Sequence, residues 1–175
     1  MKGLWTEPSV TFQGRFYQLD DATIFPKPIS RPIPQYVATG RDERALRRAG
    51  RYGDGWITTV SDAGSFTADL RKVRDSARVA GRDAGPAGLY ATFHLDRDGD
   101  KARREAPEHI QAYFGAHHRG EQNDFFGSPE EIAQRLRDFV GAGLSIVIIR
   151  FVEQDLAKQI SLMQQAMRLL RPRGG

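Results

Sequence analysis

The segment from residue 128 to residue 152, SPEEIAQRLRDFVGAGLSIVIIRFV, restricts the fold more than any other part of the chain. Ser128 followed three residues later by Glu131 has the reciprocal pattern of a capping box. Pro129 stands at the first helical position, where a missing N–H costs nothing. Ile132, Leu136, Phe139 and Val140 then recur as an apolar stripe, and Gly141-Ala142-Gly143 stops the helix. The next nine residues, LSIVIIRFV, are almost wholly apolar and rich in β-branched side chains. A half-exposed strand alternates apolar and polar residues. A continuous apolar strand must be covered on both faces, as strands of parallel sheets are. A helix leading straight into such a strand is one unit of a parallel α/β fold.

The same rhythm recurs upstream. Short apolar runs near residues 36–39, 56–60 and 89–95 read as strands, with the fourth near 145–151. Between the first two, a helix from Glu43 to about Tyr52 sets Ala45, Leu46 and Ala49 opposite Arg44, Arg47, Arg48 and Arg51. The next helix carries Phe66, Leu70, Val73 and Ala77 and ends at Gly81. After the third strand the helical pattern is broken at Pro107, with Ile110, Tyr113, Phe114 and His117 on one face. A last helix repeats Leu156, Ile160, Met163, Met167 and Leu170 before Pro172. The pattern predicts four parallel strands with right-handed helical crossovers and the helices on one outer face.

Residues 1–35 do not share this rhythm. Val10-Thr11-Phe12 and Phe16-Tyr17-Gln18-Leu19 flank Gln13-Gly14-Arg15 as a hairpin would. Pro26, Pro28, Pro32 and Pro34 then make a stiff, extended arm. The expected organisation is therefore an amino-terminal hairpin and arm, 1–35, and an α/β portion, 36–175. That length suffices for a sizeable core.

Composition narrows the partners. The chain has no cysteine, which excludes disulfides and thiolate metal sites. A formal charge of +4 permits an anionic ligand without demanding nucleic acid. No apolar run suits a signal peptide or a membrane span, so a reducing cytoplasm is the expected setting.

Candidate chemistry gathers where strands end. In parallel α/β units ligands collect at the carboxyl ends of the strands. Thr39-Gly40-Arg41 lies at such an end, just before a helix. Gly40 would let backbone approach an anion, the helix N–H groups would hold it, and Thr39 and Arg41 would add donors. The competing reading is a plain strand-to-helix turn with Asp42 as the N-cap. Asp54-Gly55 reads as the turn that starts the second strand. The Gly50, Gly53, Gly55 spacing precedes a strand and is no dinucleotide fingerprint. His109, His117 and His118 lack i,i+4 spacing and any HExxH pattern, so no metal is expected. His94 reads as a hydrogen-bonded residue at a strand end, the Met163/Met167 pair as helix packing, and the Arg44–Arg47–Arg48–Arg51 row as a solvated outer face.

The stretch VTFQGRFYQL…FPKPISRPIPQYVATGRDERALRRAGRYGDGWIT resembles the luciferase-like family of flavin-dependent monooxygenases and deazaflavin-dependent oxidoreductases. Members show a helix end with Trp, a V-x-F-x-G-x-x-Y hairpin, a run of prolines, a strand ending in a small residue and Gly, and a helix leading to A-x-x-x-G/A-D-G-W. The matching residues are Trp5, Val10, Phe12, Gly14, Tyr17, Gly40, Ala49, Asp54, Gly55 and Trp56. ARVAGRD at 77–83 and FGSPEEIAQRLRDFVGAGLSIVII at 126–149 are similar to the family as well.

The resemblance implies an α/β fold in which 36–175 form the second half of a TIM-type (β/α) barrel. Residues 1–5 would correspond to the end of the helix after the fourth strand, and strands one to four would be absent. It implies that Thr39, Gly40 and Arg41 hold the phosphate of FMN or of a deazaflavin coenzyme, and that Thr58, Thr59 and Ser61 line the substrate pocket. Arg150 would meet an anionic substrate group, or else sit in a salt bridge. The implied activity is oxidation or monooxygenation of a small organic substrate. The alternative is a non-catalytic half-barrel remnant or assembly module. Either way a half barrel leaves strand edges open, and a homodimer or pairing with a missing barrel half is expected.

Overall fold

The computed structural model describes residues 1–30, 32–115 and 124–170. It divides the chain into two compact units, Met1–Gln35 and Tyr36–Gly175. The first holds a short helix, α1 (Lys2–Thr6), and an antiparallel pair, β1 (Val10–Gln13) and β2 (Gln18–Ala22). Gly14 N–H closes the hairpin on the Tyr17 carbonyl at 2.9 Å. Lys27, on the Pro-rich arm, donates to the carbonyls of Leu4 at 2.9 Å and Glu7 at 2.7 Å. A cation thereby satisfies carbonyls at the end of α1, where the helix dipole is negative.

The second unit is a parallel sheet with helices: β3 (Tyr36–Ala38), α2 (Glu43–Tyr52), β4 (Gly55–Thr58), α3 (Ala63–Val79), β5 (Ala87–Leu95), α4 (Gly99–Phe114), β6 (Asp124–Gly127), α5 (Pro129–Gly141), β7 (Ile146–Phe151) and α6 (Leu156–Leu170). The four expected strands pair in parallel as β3-β4-β5-β7. β6 is an addition that the apolar pattern did not predict. It is four residues long and pairs only with residues 92–95 of β5. Because β5 residues 88–93 pair with β7 along the opposite edge, β6 continues the edge that β4 leaves free. Among the described residues β3, β6 and β7 each pair on one side only.

Alternation along the strands separates two faces. Trp56, Leu89, Ala91, Phe93, Leu95 and Phe125 point to the helices and are buried. Trp56 meets Phe66 of α3 at 5.4 Å, Phe66 meets Phe139 of α5 at 5.6 Å, and Phe93 stacks on Phe125 at 4.9 Å. α2 and α3 pack closely because Gly50 is bare: a Cβ there would stand 2.2 Å from the Val73 carbonyl. Gly55 is bare for a similar reason, since a Cβ would meet the Tyr36 ring at 2.4 Å.

Helix ends follow the local chemistry. Asp42 caps α2 by accepting from Ala45 N–H at 2.9 Å. Ser128 and Glu131 form the reciprocal box at the start of α5. Gly81, at φ +67°, follows α3 with its N–H on the Arg78 carbonyl.

Three helix expectations need correction. α4 runs through Pro107 without a break. Pro107 is on the exposed side, where solvent can take the carbonyl it leaves unpaired, while Ala102, Ala106 and Ile110 bury the other side. In α5, Val140 is exposed and Ala133 takes its place in the core. In α6 the buried stripe is Gln159, Leu162, Met163 and Ala166, leaving Leu156, Ile160 and Met167 roughly half-exposed. Gln159 turns the helix: its amide accepts from Leu95 N–H and donates to the Leu95 carbonyl, both at 2.8 Å. A buried Gln that completes the end of a strand outweighs the three apolar side chains left partly in water. Tyr113 is exposed; His117 and Pro172 lie outside the described residues. No described helix is long and apolar enough to cross a membrane.

Candidate functional site

The second face of the sheet is polar toward the carboxyl ends of its strands. Tyr90, Thr92 and His94 of β5 alternate with the buried apolar residues and share this face with Ile146, Ile148 and Arg150 of β7. Arg150 reaches across the Thr92 pairing position. Its Nη2 donates to the Thr92 hydroxyl at 2.7 Å and its Nη1 to the Tyr90 hydroxyl at 2.9 Å. The guanidinium also lies over the Tyr90 ring at 4.8 Å and the Phe114 ring at 4.5 Å. Among the described residues no carboxylate forms a salt bridge with Arg150. With Nε also on Thr92, three of its five N–H donors are engaged. Two remain for another acceptor.

α4 departs from the expected outer layer. Its Glu105, His109 and Phe114 meet this polar face rather than the helix-facing core. Asp98 caps it, accepting from Asp100 and Lys101 N–H, and so sends the helix back over the end of β5. His94 is fully buried and neither ring nitrogen has a hydrogen-bond partner. The expected hydrogen bond is absent. Instead the ring lies 4.6 Å from that of His109, with Nε2 3.9 Å from Glu105 and Nδ1 3.5 Å from Glu153. Burial, followed by the charge of His109, pushes the His94 imidazolium pKa down, so the ring is neutral near pH 7. Close by, burial alone would raise the Asp96 carboxyl, but hydrogen bonds from Lys158, Asp98 N–H and Lys101 hold it at about 2. Lys101, Glu105, His109, Tyr113, Glu153 and Lys158 line part of a cleft of about 780 Å³ between α4 and the segment after β7.

The Thr39-Gly40-Arg41 loop is a separate locus at the end of β3. Thr39 N–H continues the ladder to the Ile57 carbonyl at 3.0 Å, and its hydroxyl accepts from Trp56 Nε1 at 2.8 Å. The hydroxyl proton remains available. Around Gly40 there is open space, with no atom within 4 Å of a Cβ placed there. Arg41 holds the buried Asp69 through Nε at 3.2 Å while its side chain stays 64% exposed, so its terminal donors face solvent. The N-cap expected of Asp42 is present, and with Glu43 it puts two carboxylates at the helix start.

The other expected pocket residues are divided. Thr58 shares the helix-facing side with Trp56 and is buried, its hydroxyl without a partner. Thr59 is on the opposite side and exposed, and Ser61 is half-buried. The Ser61 carbonyl accepts from Arg135 at 2.8 Å. Sequence reasoning missed Glu105 and Glu153. The signal for Glu105 was present: Glu105 and His109 are four residues apart on one helix, but only histidine–histidine spacings were weighed. His117 and His118 lie outside the described residues.

Comparison with known proteins bears on the fold and the family. A segment is 40% identical over 102 residues to the F420-dependent glucose-6-phosphate dehydrogenase of Segniliparus rotundus, covering 57% of this chain and 30% of that protein. Another is 32% identical over 104 residues to the FMNH(2)-dependent dimethylsulfone monooxygenase of Pseudomonas putida, covering 59% and 28%. A solved F420-dependent secondary alcohol dehydrogenase in complex with an F420-acetone adduct superposes with a TM-score of 0.76 at 20% identity, covering 97% of this chain and 58% of that one. The chain therefore spans well under two thirds of the length of these relatives, and its fold is that of a partial (β/α) barrel preceded by an antiparallel hairpin. Residues 1–142 match the family described as luciferase-like monooxygenase, and the chain belongs to that family.

Proposed function

We propose that the chain is the carboxyl-terminal half of a luciferase-like oxidoreductase that uses FMN or a deazaflavin coenzyme on a small organic substrate. The observation that carries this reading is the open space at Gly40, at the carboxyl end of a parallel strand and the start of a capped helix. That space suits a phosphate: the Arg41 side chain is largely exposed, the Thr39 hydroxyl keeps its proton while accepting from Trp56, and α2 presents its positive end. The two carboxylates at the helix start weaken the grip, so Arg41 matters more than a bare loop would require.

When bound, the isoalloxazine or deazaflavin ring supplies the redox chemistry. The residues of this chain bind and orient. Arg150, clamped between Tyr90 and Phe114, offers its two remaining donors to an anionic or carbonyl group of the substrate. Thr59 and Ser61 edge the same rim, with Thr58 behind them on the helix side. An amino-terminal barrel half would complete the pocket by pairing with the free edges of β3 and β7. An apolar groove supports that partner: Ile149, Phe151, Ile160, Met163 and Met167 line about 540 Å³ beside β7. A reducing cytoplasm suits a chain without cysteine.

The test is a titration of the chain, mixed with the amino-terminal half of a complete family member, with FMN and then riboflavin. FMN is expected to bind about tenfold or more tightly, with the advantage shrinking as salt is added. A Cβ at Gly40 has open space around it beyond its chain neighbours, so Gly40→Val is expected to fold and to abolish the FMN advantage. Equal binding of FMN and riboflavin, unchanged by Gly40→Val, would show that the loop is only a turn.

A further inference from the structure

We propose that His94, Glu105 and His109 bind one borderline divalent cation of the Zn²⁺ class, with Glu153 orienting His94. One nitrogen of each imidazole and one Glu105 oxygen all lie within 4.8 Å of one another. Ligand atoms on a tetrahedral Zn²⁺, at bonds of about 2.0–2.2 Å, stand about 3.4 Å apart. Closing the site therefore asks the outermost pair to approach by about 1.4 Å. Glu105 and His109 are half-exposed on α4 and have room for that movement. His94 is held in place on β5, where Gln159 fixes the backbone of the next residue from both sides.

A second observation points to a ligand. His94 is completely buried and has no hydrogen bond at either nitrogen. A buried imidazole without partners carries a desolvation cost that nothing nearby repays. A cation between Nε2 and Glu105 removes it at one nitrogen. Glu153 removes it at the other, for it stands 3.5 Å from Nδ1 and is steadied by Gln159 and Lys158. A carboxylate on the far nitrogen of a metal-bound histidine is the usual orienting arrangement.

The donor set selects the ion. Two imidazoles and a carboxylate suit Zn²⁺, Co²⁺ or Ni²⁺, whereas Mg²⁺ and Ca²⁺ require oxygen. The remaining position would open on the cleft beside α4. Lys101 and Lys158 approach Glu105 and Glu153, but both also reach Asp96, at 3.4 and 3.0 Å, and that carboxylate keeps them partnered when the glutamates turn to the site. The site replaces the expectation of no metal, which rested on histidine spacing alone.

The test is a Co²⁺ titration of the whole 175-residue chain, without any flavin, so that its result is independent of the cofactor reading. The visible absorption of four-coordinate Co²⁺ is expected to saturate at one equivalent and to be displaced by Zn²⁺. Glu105→Gln and His109→Ala should each weaken binding about tenfold or more without unfolding the chain. Glu153→Gln should weaken it about tenfold at unchanged stoichiometry. The His117→Ala/His118→Ala double variant should bind within about twofold of the parent. The inference is overturned if Co²⁺ gives no such spectrum, if Glu105→Gln and His109→Ala bind as tightly as the parent, or if binding is lost in the double variant instead.

Discussion

On the helix-facing side of β5, Leu89, Ala91, Phe93 and Leu95 are fully buried within the apolar core. On the opposite side, one residue away each time, Tyr90 and Thr92 meet Arg150, and His94 meets Glu105 and His109 of α4. β7 repeats the division: Val147, Ile149 and Phe151 lean on the core, while Ile148 stays 38% exposed beside Arg150. Over β5 the first face is covered by this chain's own helices, while at β7 Ile149 and Phe151 also line an apolar groove. The second combines paired polar groups, Arg150 with Tyr90 and Thr92, with the unpartnered imidazole of His94 and the part-exposed Ile148. A sheet whose two sides differ in this way keeps its stability in one layer and its chemistry in the other.

The sharpest way to break the comparison is on the finished face. Phe66→Ala removes a fully buried ring that touches both Trp56 and Phe139. It should cost about 3–5 kcal/mol in urea unfolding. A cost below about 1 kcal/mol would mean that the helical layer is not the main source of stability. The unfinished face predicts the reverse. Ile148→Thr keeps the β-branched shape and should cost less than about 1 kcal/mol, because little burial is lost. A loss comparable to that of Phe66→Ala would show Ile148 packed in a core that the isolated chain already completes.

The two faces also differ in how well the sequence revealed them. Apolar periodicity located the helical layer: Leu46, Phe66, Leu70, Val73, Leu136 and Phe139 are all buried. Capping chemistry located helix starts at Asp42 and Ser128 for the same reason, since both devices act within four residues. The other face depends on contacts between residues far apart in the chain. Gln159 was unreadable as a core residue because its value lies in the backbone of Leu95, 64 residues earlier. α6 carries two apolar stripes, and only that hydrogen-bond pair decides between them. β6 is four residues long, too short for a period to show. His94 was found but misjudged, because its neighbours come from α4, and the proline at 107 made that helix look broken.

The most direct test of the account is residue-by-residue amide hydrogen exchange on the chain, alone and mixed with the amino-terminal half of a complete family member. The proposed pairing with an amino-terminal half barrel would cover the opposite face and the sheet edges and leave the layer of α2 and α3 as it is. It predicts that mixing raises protection at β3 and β7, including Ile148, and leaves α2 and α3 unchanged. Protection that rises in α2 and α3 instead, or no change at β3 and β7 while the two halves are shown to associate, would contradict it.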